Sequence, residues 1–338
     1  MLSDILKSTG AGAVFGVALT MSRVYHPLVI INQMRLTDFH MLEVFLTACA
    51  ASAIVMLYFE KRGIAKRCVR SNSSLNWFSP YDANIIGGAL LGTGMSLSGA
   101  CPGTAIVQLA QGFPSSGPTA LGLLLGASLF LKYGKLLKVK EDPTCKALQP
   151  GAQTIASQLH IPPASVYITF EGLCFATIIL SSLILPGRSF STLPTVVGGL
   201  LLAAAQAFSI YCTGNPVGVS ASYEHVGRYL LHGLGIKEVP EPATFPRAIT
   251  FALGIFLGSL VYTGMLQPET KISAPVVPAT EALLGGVFMG FGARLAGGCT
   301  SGHGLSGLAA LSFSSLITVA AIFGAGISTQ LCLSHLHV

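Results

Sequence analysis

The sequence predicts an all-α, polytopic integral membrane protein of about nine transmembrane units, built as an inverted repeat with broken, re-entrant helices. Three observations predict it. Only 32 of the 338 residues are charged, 9% where a soluble domain carries about 25%, and half are hydrophobic, with a mean hydropathy of +0.68. The apolar residues gather in blocks near the length of about 20 residues that spans the hydrocarbon of a bilayer. Glycine is in excess, 39 residues against an average usage of about 7%, and lets helices approach closely or break within the membrane.

The units fall at 11–34, 39–59, 83–112, 117–133, 164–185, 195–211 continuing to about 232, 246–265, 281–313 and 314–333. The first breaks at His26-Pro27, and the sixth at Gly214-Asn215-Pro216. The third breaks at Cys101 and resumes as Pro102 to Gln111, and the eighth breaks at Cys299 and resumes as Gly304 to Phe313. Pro27, Pro102 and Pro216 suit the first position of a helix, where the missing N–H costs nothing. Half-helix N-termini at these prolines, and at Thr300 and Ser301 after Cys299, put free N–H groups and partial positive charge inside the membrane, which favours an anion.

Basic residues orient the units, because cytoplasmic loops collect Lys and Arg. Lys7, the run Lys61, Arg62, Lys66, Arg67 and Arg70, the run Lys132, Lys135, Lys138, Lys140 and Lys146, and Arg228, Lys237 and Arg247 all fall on one side if unit three makes one net crossing. Arg35, Arg188 and Lys271 fall on the other, and Arg23 and Arg294 lie in the membrane. The N-terminus is then cytoplasmic and the C-terminus outside. Asp4 and Lys7 precede the first apolar stretch and Arg23 interrupts it, so no cleavable signal is read there. With the basic residues in loops, nucleic acid is a poor partner.

Residues 87–101, GGALLGTGMSLSGAC, align without a gap on 285–299, GGVFMGFGARLAGGC, with seven of fifteen positions identical and both segments ending in Cys. Two halves of four units on either side of an odd connector have opposite orientations, as in transporters that build a midplane site from discontinuous helices. The division is a first membrane repeat at 1–140, a connecting loop and helix at 141–190 and a second membrane repeat at 191–338.

Eight cysteines in a membrane chain do not read as a disulfide framework; most are small core hydrophobes. The repeat-related Cys101 and Cys299 differ, since a thiol at a half-helix N-terminus can meet a sulfur-bearing or anionic ligand. Arg294, five residues before Cys299, is an intramembrane charge and so a functional candidate. It has two readings: it draws an anion inward, or it pairs with a carbonyl or with Glu171. His303 likewise either donates to a substrate oxygen or caps backbone carbonyls. Metal ligation is not implied, as no second His lies at ligand spacing. Gly302-His-Gly304-Leu-Ser-Gly307 fits G-x-G-x-x-G but follows an apolar helix rather than a strand, and no P-loop is present, so no nucleotide or other cofactor is implied.

At 87–112 (GGALLGTGMSLSGACPGTAIVQLAQG) and 285–307 (GGVFMGFGARLAGGCTSGHGLSG), supported by 26–34, 39–52 and 214–227, the chain resembles the YeeE/YedE sulfur-transport family. The resemblance implies an hourglass-shaped permease for thiosulfate or a related small sulfur anion, passed through a midplane constriction by transient S–H to sulfur hydrogen bonds. Cys101 and Cys299 match the two motif cysteines. The family implies one further pathway cysteine, for which Cys212 is the candidate on position; otherwise polar residues such as Ser220 and Gln33 take its place. A cytoplasmic sulfur-carrier or rhodanese-type protein is the implied partner, besides the lipid bilayer, and the plasma membrane the implied location. Two other classes compete: a membrane sulfurtransferase with a cysteine persulfide, which needs a nearby base such as His303, and a membrane scaffold indifferent to both cysteines.

Overall fold

The computed structural model describes residues 2–67, 69–137, 153–184, 195–236, 239–241, 247–266 and 277–336. Cys68, Cys145 and six of the orienting charges, Lys138, Lys140, Lys146, Arg188, Lys237 and Lys271, lie outside these residues. Every regular element among the described residues is a helix, apart from an isolated bridge between Thr154 and Ser312. In order the helices are α1 (Leu2–Met21), α2 (Pro27–Met34), α3 (His40–Lys61), α4 (Asp82–Ser98), α5 (Pro102–Ala110), α6 (Ser116–Leu137), α7 (Ile155–Leu159), α8 (Pro163–Ile184), α9 (Thr195–Thr213), α10 (Ser220–Gly233), α11 (Arg247–Leu266), α12 (Ala279–Leu295), a π-helix (Thr300–Leu308) and α13 (Phe313–Leu336).

Among the described residues seven segments are long and apolar enough to cross a membrane, or eight when α12 and the π-helix, bent by 43°, count as one. Nine were expected. The fourth expected unit, 117–133, corresponds to α6, a 22-residue helix that is not among the seven. α4 and α5 run on as one interrupted span, Asp82–Ala110.

Glycine determines how these helices cross. A Cβ on Gly87 would come within 2.5 Å of the Ala296 nitrogen and 2.7 Å of the Gly292 oxygen, and a Cβ on Gly285 would lie 2.7 Å from the Gly94 oxygen and 3.0 Å from Ser98. Under the sequence repeat Gly87 corresponds to Gly285 and Gly94 to Gly292. Each glycine therefore meets the counterpart of the other, the self-complementary pattern of a two-fold contact. Because the residue number rises on one partner as it falls on the other, α4 and α12 cross antiparallel. The remaining pairs follow the same exchange: α6 packs on α12 as α13 packs on α4, and α1 packs on α11 as α9 packs on α3. One buried apolar cluster, including Phe15, Met95, Leu123, Ile255 and Met289, runs through both halves.

A Cβ has no room at this crossing, so Gly292→Val should cost about 1–3 kcal/mol or more through overpacking. Gly324→Ala in α13, where a Cβ meets nothing within 4 Å, should leave stability unchanged. Thermal unfolding of the two detergent-purified variants beside the wild type checks the difference; equal melting temperatures would remove the crossing from the account of the fold.

Candidate functional site

Cys101 is the N-cap of α5, in extended conformation, with Pro102 at the first helical position. Its sulfur accepts from the Thr104 backbone N–H at 3.3 Å, while the Thr104 hydroxyl accepts from the Cys101 N–H at 2.7 Å, a reciprocal capping box. Two residues earlier Gly99 adopts φ +61°, and its repeat counterpart Gly297 adopts φ +79°. Both chains thus leave their long helix through a left-handed glycine and reach a cysteine cap.

Cys299 caps the π-helix and is fully buried. The helix resumes at Thr300 rather than at the expected Gly304, because the extended cysteine itself begins the next turn. The wider i→i+5 spacing suits a segment with glycine at 302, 304 and 307. Gly302 of its own helix and Ser220 at the start of α10 lie close enough to the Cys299 sulfur to interact with it electrostatically. Ser301 Oγ lies 3.2 Å from the same sulfur.

Pro216 is not a helix start. The chain stays irregular from Gly214 to Val219 and α10 begins at Ser220. The Thr213 hydroxyl accepts the Asn215 N–H at 3.2 Å, and Ser306 of the π-helix donates to the Val217 carbonyl at 2.6 Å, which draws the loop along and delivers Ser220 to Cys299. Gln206 supports this arrangement by accepting at 3.1 Å from Ser306. At the other break His26 caps α2 and Pro27 takes the first position, as expected. Pro27 packs near Gly99, and Tyr223 of α10 donates to the Pro102 carbonyl at 2.8 Å. Four helix N-termini, those of α2, α5, α10 and the π-helix, therefore cluster around the two cysteines.

Two cavities flank this cluster. One, of about 70 Å³, is lined by Cys101, Thr104, Thr300 and Ser301 and walled mainly by apolar side chains such as Phe15, Met41 and Leu202. At about 30 Å³ of liquid volume per water it holds about two waters, so a tetrahedral anion fits only once its hydration shell is gone. The other, of about 310 Å³, is lined by Ser8, Ser209, Thr213, Asn215, Gly218 and Arg247. Along α1 the two are separated by the 7 to 11 residues between Ser8 and Phe15 or Leu19, about 10–16 Å at 1.5 Å per residue.

The carbonyls left open at the end of α12 are all covered. Ser73 donates to Leu295 at 2.8 Å, Asn84 to Ala296 at 3.1 Å, and the Arg70 guanidinium to Gly297 at 3.0 Å and Gly302 at 2.9 Å. His303 Nε2 lies 3.0 Å from the Ala296 oxygen and its Nδ1 3.0 Å from Ser315 Oγ, so both ring nitrogens are engaged within the protein. Arg294 pairs with Glu224, which also holds Arg228. Its partner is therefore neither a carbonyl nor Glu171, which lines a groove with Cys174 and Phe175 elsewhere on α8. Cys212 and Gln33 are not among the residues lining either cavity. Gln33 is buried and accepts from the Leu42 N–H at 3.2 Å, and Cys212 is half-buried near the end of α9.

Thr104, Tyr223, Glu224 and Arg70 were missed in the sequence. The cap at Thr104 was readable from its place three residues after Cys101, and the Glu224/Arg228 pair from its i, i+4 spacing. Arg70 comes from a distant loop and carried no signal beyond its charge.

A family model described as Sulphur transport matches residues 21–328. A protein described as a probable transporter in Xylella fastidiosa is 28% identical over 134 residues, covering 40% of this chain and 89% of the relative, and its counterpart from a second strain matches equally. The thiosulfate transporter TsuA of Escherichia coli is 25% identical over 252 residues, 67% of either chain.

Glu224→Gln leaves two guanidinium groups without a counter-charge among side chains only 12–23% exposed. Thermal unfolding should show a loss on the order of 3 kcal/mol, and Glu224→Gln combined with Arg294→Met should recover part of it. A single variant as stable as the wild type would show the pair to be dispensable.

Proposed function

The chain belongs to the sulphur-transport family, and from that premise we propose that this integral membrane transporter is a permease for thiosulfate or a closely related small sulfur anion. The observation that carries this reading is the pair of repeat-related cysteines, each capping a half-helix N-terminus, with Cys101 facing a cavity too small for a hydrated ion.

A dianion loses many kcal/mol of hydration on entering such a space unless donors replace the water. Four converging helix N-termini supply positive potential without a fixed full charge at the ion. The two thiols supply weak donors, which hold a polarisable sulfur loosely enough to release it. The ion enters the smaller cavity, meets Cys101, passes Cys299 with Ser220 beside it, and leaves through the larger cavity at Arg247. In this path two thiols and the Ser220 hydroxyl serve, and neither Cys212 nor Gln33 takes part. His303 acts by holding the Cys299 break, and Arg294 by fixing α12 to α10.

In this reading, which the basic residues of the loops support, the larger cavity and the N-terminus face the cytoplasmic side of the plasma membrane and the C-terminus lies outside. Two membrane repeats, 1–140 and 191–338, join through the connector 141–190. A soluble sulfur-carrier or rhodanese-type protein would accept the sulfur compound at the cytoplasmic mouth.

The enzyme alternative, a persulfide on Cys101 or Cys299, needs a base to take the thiol proton. The base nearest in sequence, His303, has both nitrogens engaged, which favours the permease.

Expressed in a strain lacking sulfate uptake, the chain should support growth on thiosulfate as sole sulfur source. Cys101→Ala and Cys299→Ala should each lower uptake at least about fivefold, the value of one hydrogen bond, and Cys212→Ala should not. Growth unchanged in the double variant would sink the thiol relay; no growth with properly inserted wild type would sink the substrate; a persulfide trapped by mass spectrometry during turnover would favour the enzyme.

A further inference from the structure

We propose that Thr300 selects the oxygen end of the transported anion, so that the smaller cavity reads the two ends of its ligand with different chemistry. The inference rests on the permease reading and adds a specificity-determining residue to it.

Four side chains with polar or thiol groups line the cavity: Cys101, Thr104, Thr300 and Ser301. Three are engaged within the protein. Thr104 and Cys101 cap each other, and Ser301 pairs with Cys299. Thr300 is different. Its side chain is 6% exposed, and Oγ1 is buried without a hydrogen-bond partner. A buried hydroxyl left unsatisfied is costly, and each such group in a folded protein calls for an explanation. Here it belongs to the first residue of the π-helix, which lines the cavity, and a turn about χ1 brings the hydroxyl out of the wall to where a ligand oxygen would satisfy it.

Cys101 supplies the opposite chemistry. Its sulfur already accepts from the Thr104 N–H, which leaves its own S–H as a weak, soft donor for the cavity. A soft thiol prefers a polarisable sulfur; a hydroxyl prefers a hard oxygen. The complementary ligand is a small anion with a terminal sulfur at one end and oxyanion oxygens at the other. Sulfate has only oxygens and forgoes the contact with Cys101, whereas hydrosulfide has only sulfur and forgoes Thr300.

Thr300→Val keeps the shape and removes the hydroxyl, and Thr300→Ser keeps the hydroxyl. Uptake of radiolabelled thiosulfate into proteoliposomes should fall about tenfold in Thr300→Val and stay within twofold of wild type in Thr300→Ser. The melting temperature of Thr300→Val should be unchanged or raised, since an orphan polar group becomes apolar. Wild-type rates in Thr300→Val, or equal losses in both variants with a lowered melting temperature, would overturn the selection role and leave the permease intact. Failure of the wild type to take up thiosulfate would instead overturn the permease reading.

Discussion

At the crossing of α4 and α12 two backbones touch with no side chain between them, and the position of everything around the cysteines depends on it. A methyl group at Gly87 or Gly285 would collide with the opposite chain. Close approach also fixes register, because glycine must meet glycine at two levels of the crossing. The register then sets the left-handed Gly99 at one end of the crossing, where Ser98 lies against Gly285, and the left-handed Gly297 at the other, where Ala296 lies against Gly87. In lipid, where no hydrophobic force drives helices together, such tight packing is among the available sources of association energy.

The breaks introduce a cost of their own, since an interrupted helix exposes carbonyls as well as N–H groups. The protein treats the two ends differently. Carbonyls at the end of α12 are covered by Ser73, Asn84, Arg70 and His303, while at the start of α5 the Thr104 N–H is directed to the Cys101 sulfur. Covering the negative ends and leaving the positive ends open makes the local field favour an anion. The buried Arg294, Glu224 and Arg228 group carries one net positive charge next to this region and adds to the same bias.

Much of this was readable beforehand. The repeat, the Cys101-Pro102 cap and the His26-Pro27 break follow from local rules, and local rules do not depend on the partner chain segment. Three features escaped for the opposite reason. Whether Pro216 begins a helix is decided by Ser306, about ninety residues away, which holds the Val217 carbonyl. The partner of Arg294 is chosen by how α10 lies against α12, which no periodicity reports. The π-helix after Cys299 depends on a cysteine adopting an extended cap, and a glycine-rich stretch is compatible with several helical spacings. α6 packs against α12 on one side and exposes Leu121, Leu125 and Leu129 on the other, the two faces expected of a helix at the rim of a membrane bundle.

The size and lining of the smaller cavity bear on the energetics of the cell as well as on the solute. On the proposed path the smaller cavity has mainly apolar walls and a volume of about 70 Å³, a constriction of the kind that dewets when empty. Along that proposed path protons and chloride would have no conductive route at rest. A protein of this design can stay in the bilayer in large numbers without short-circuiting the membrane potential, a property that a wide, water-filled pore of equal selectivity would lack.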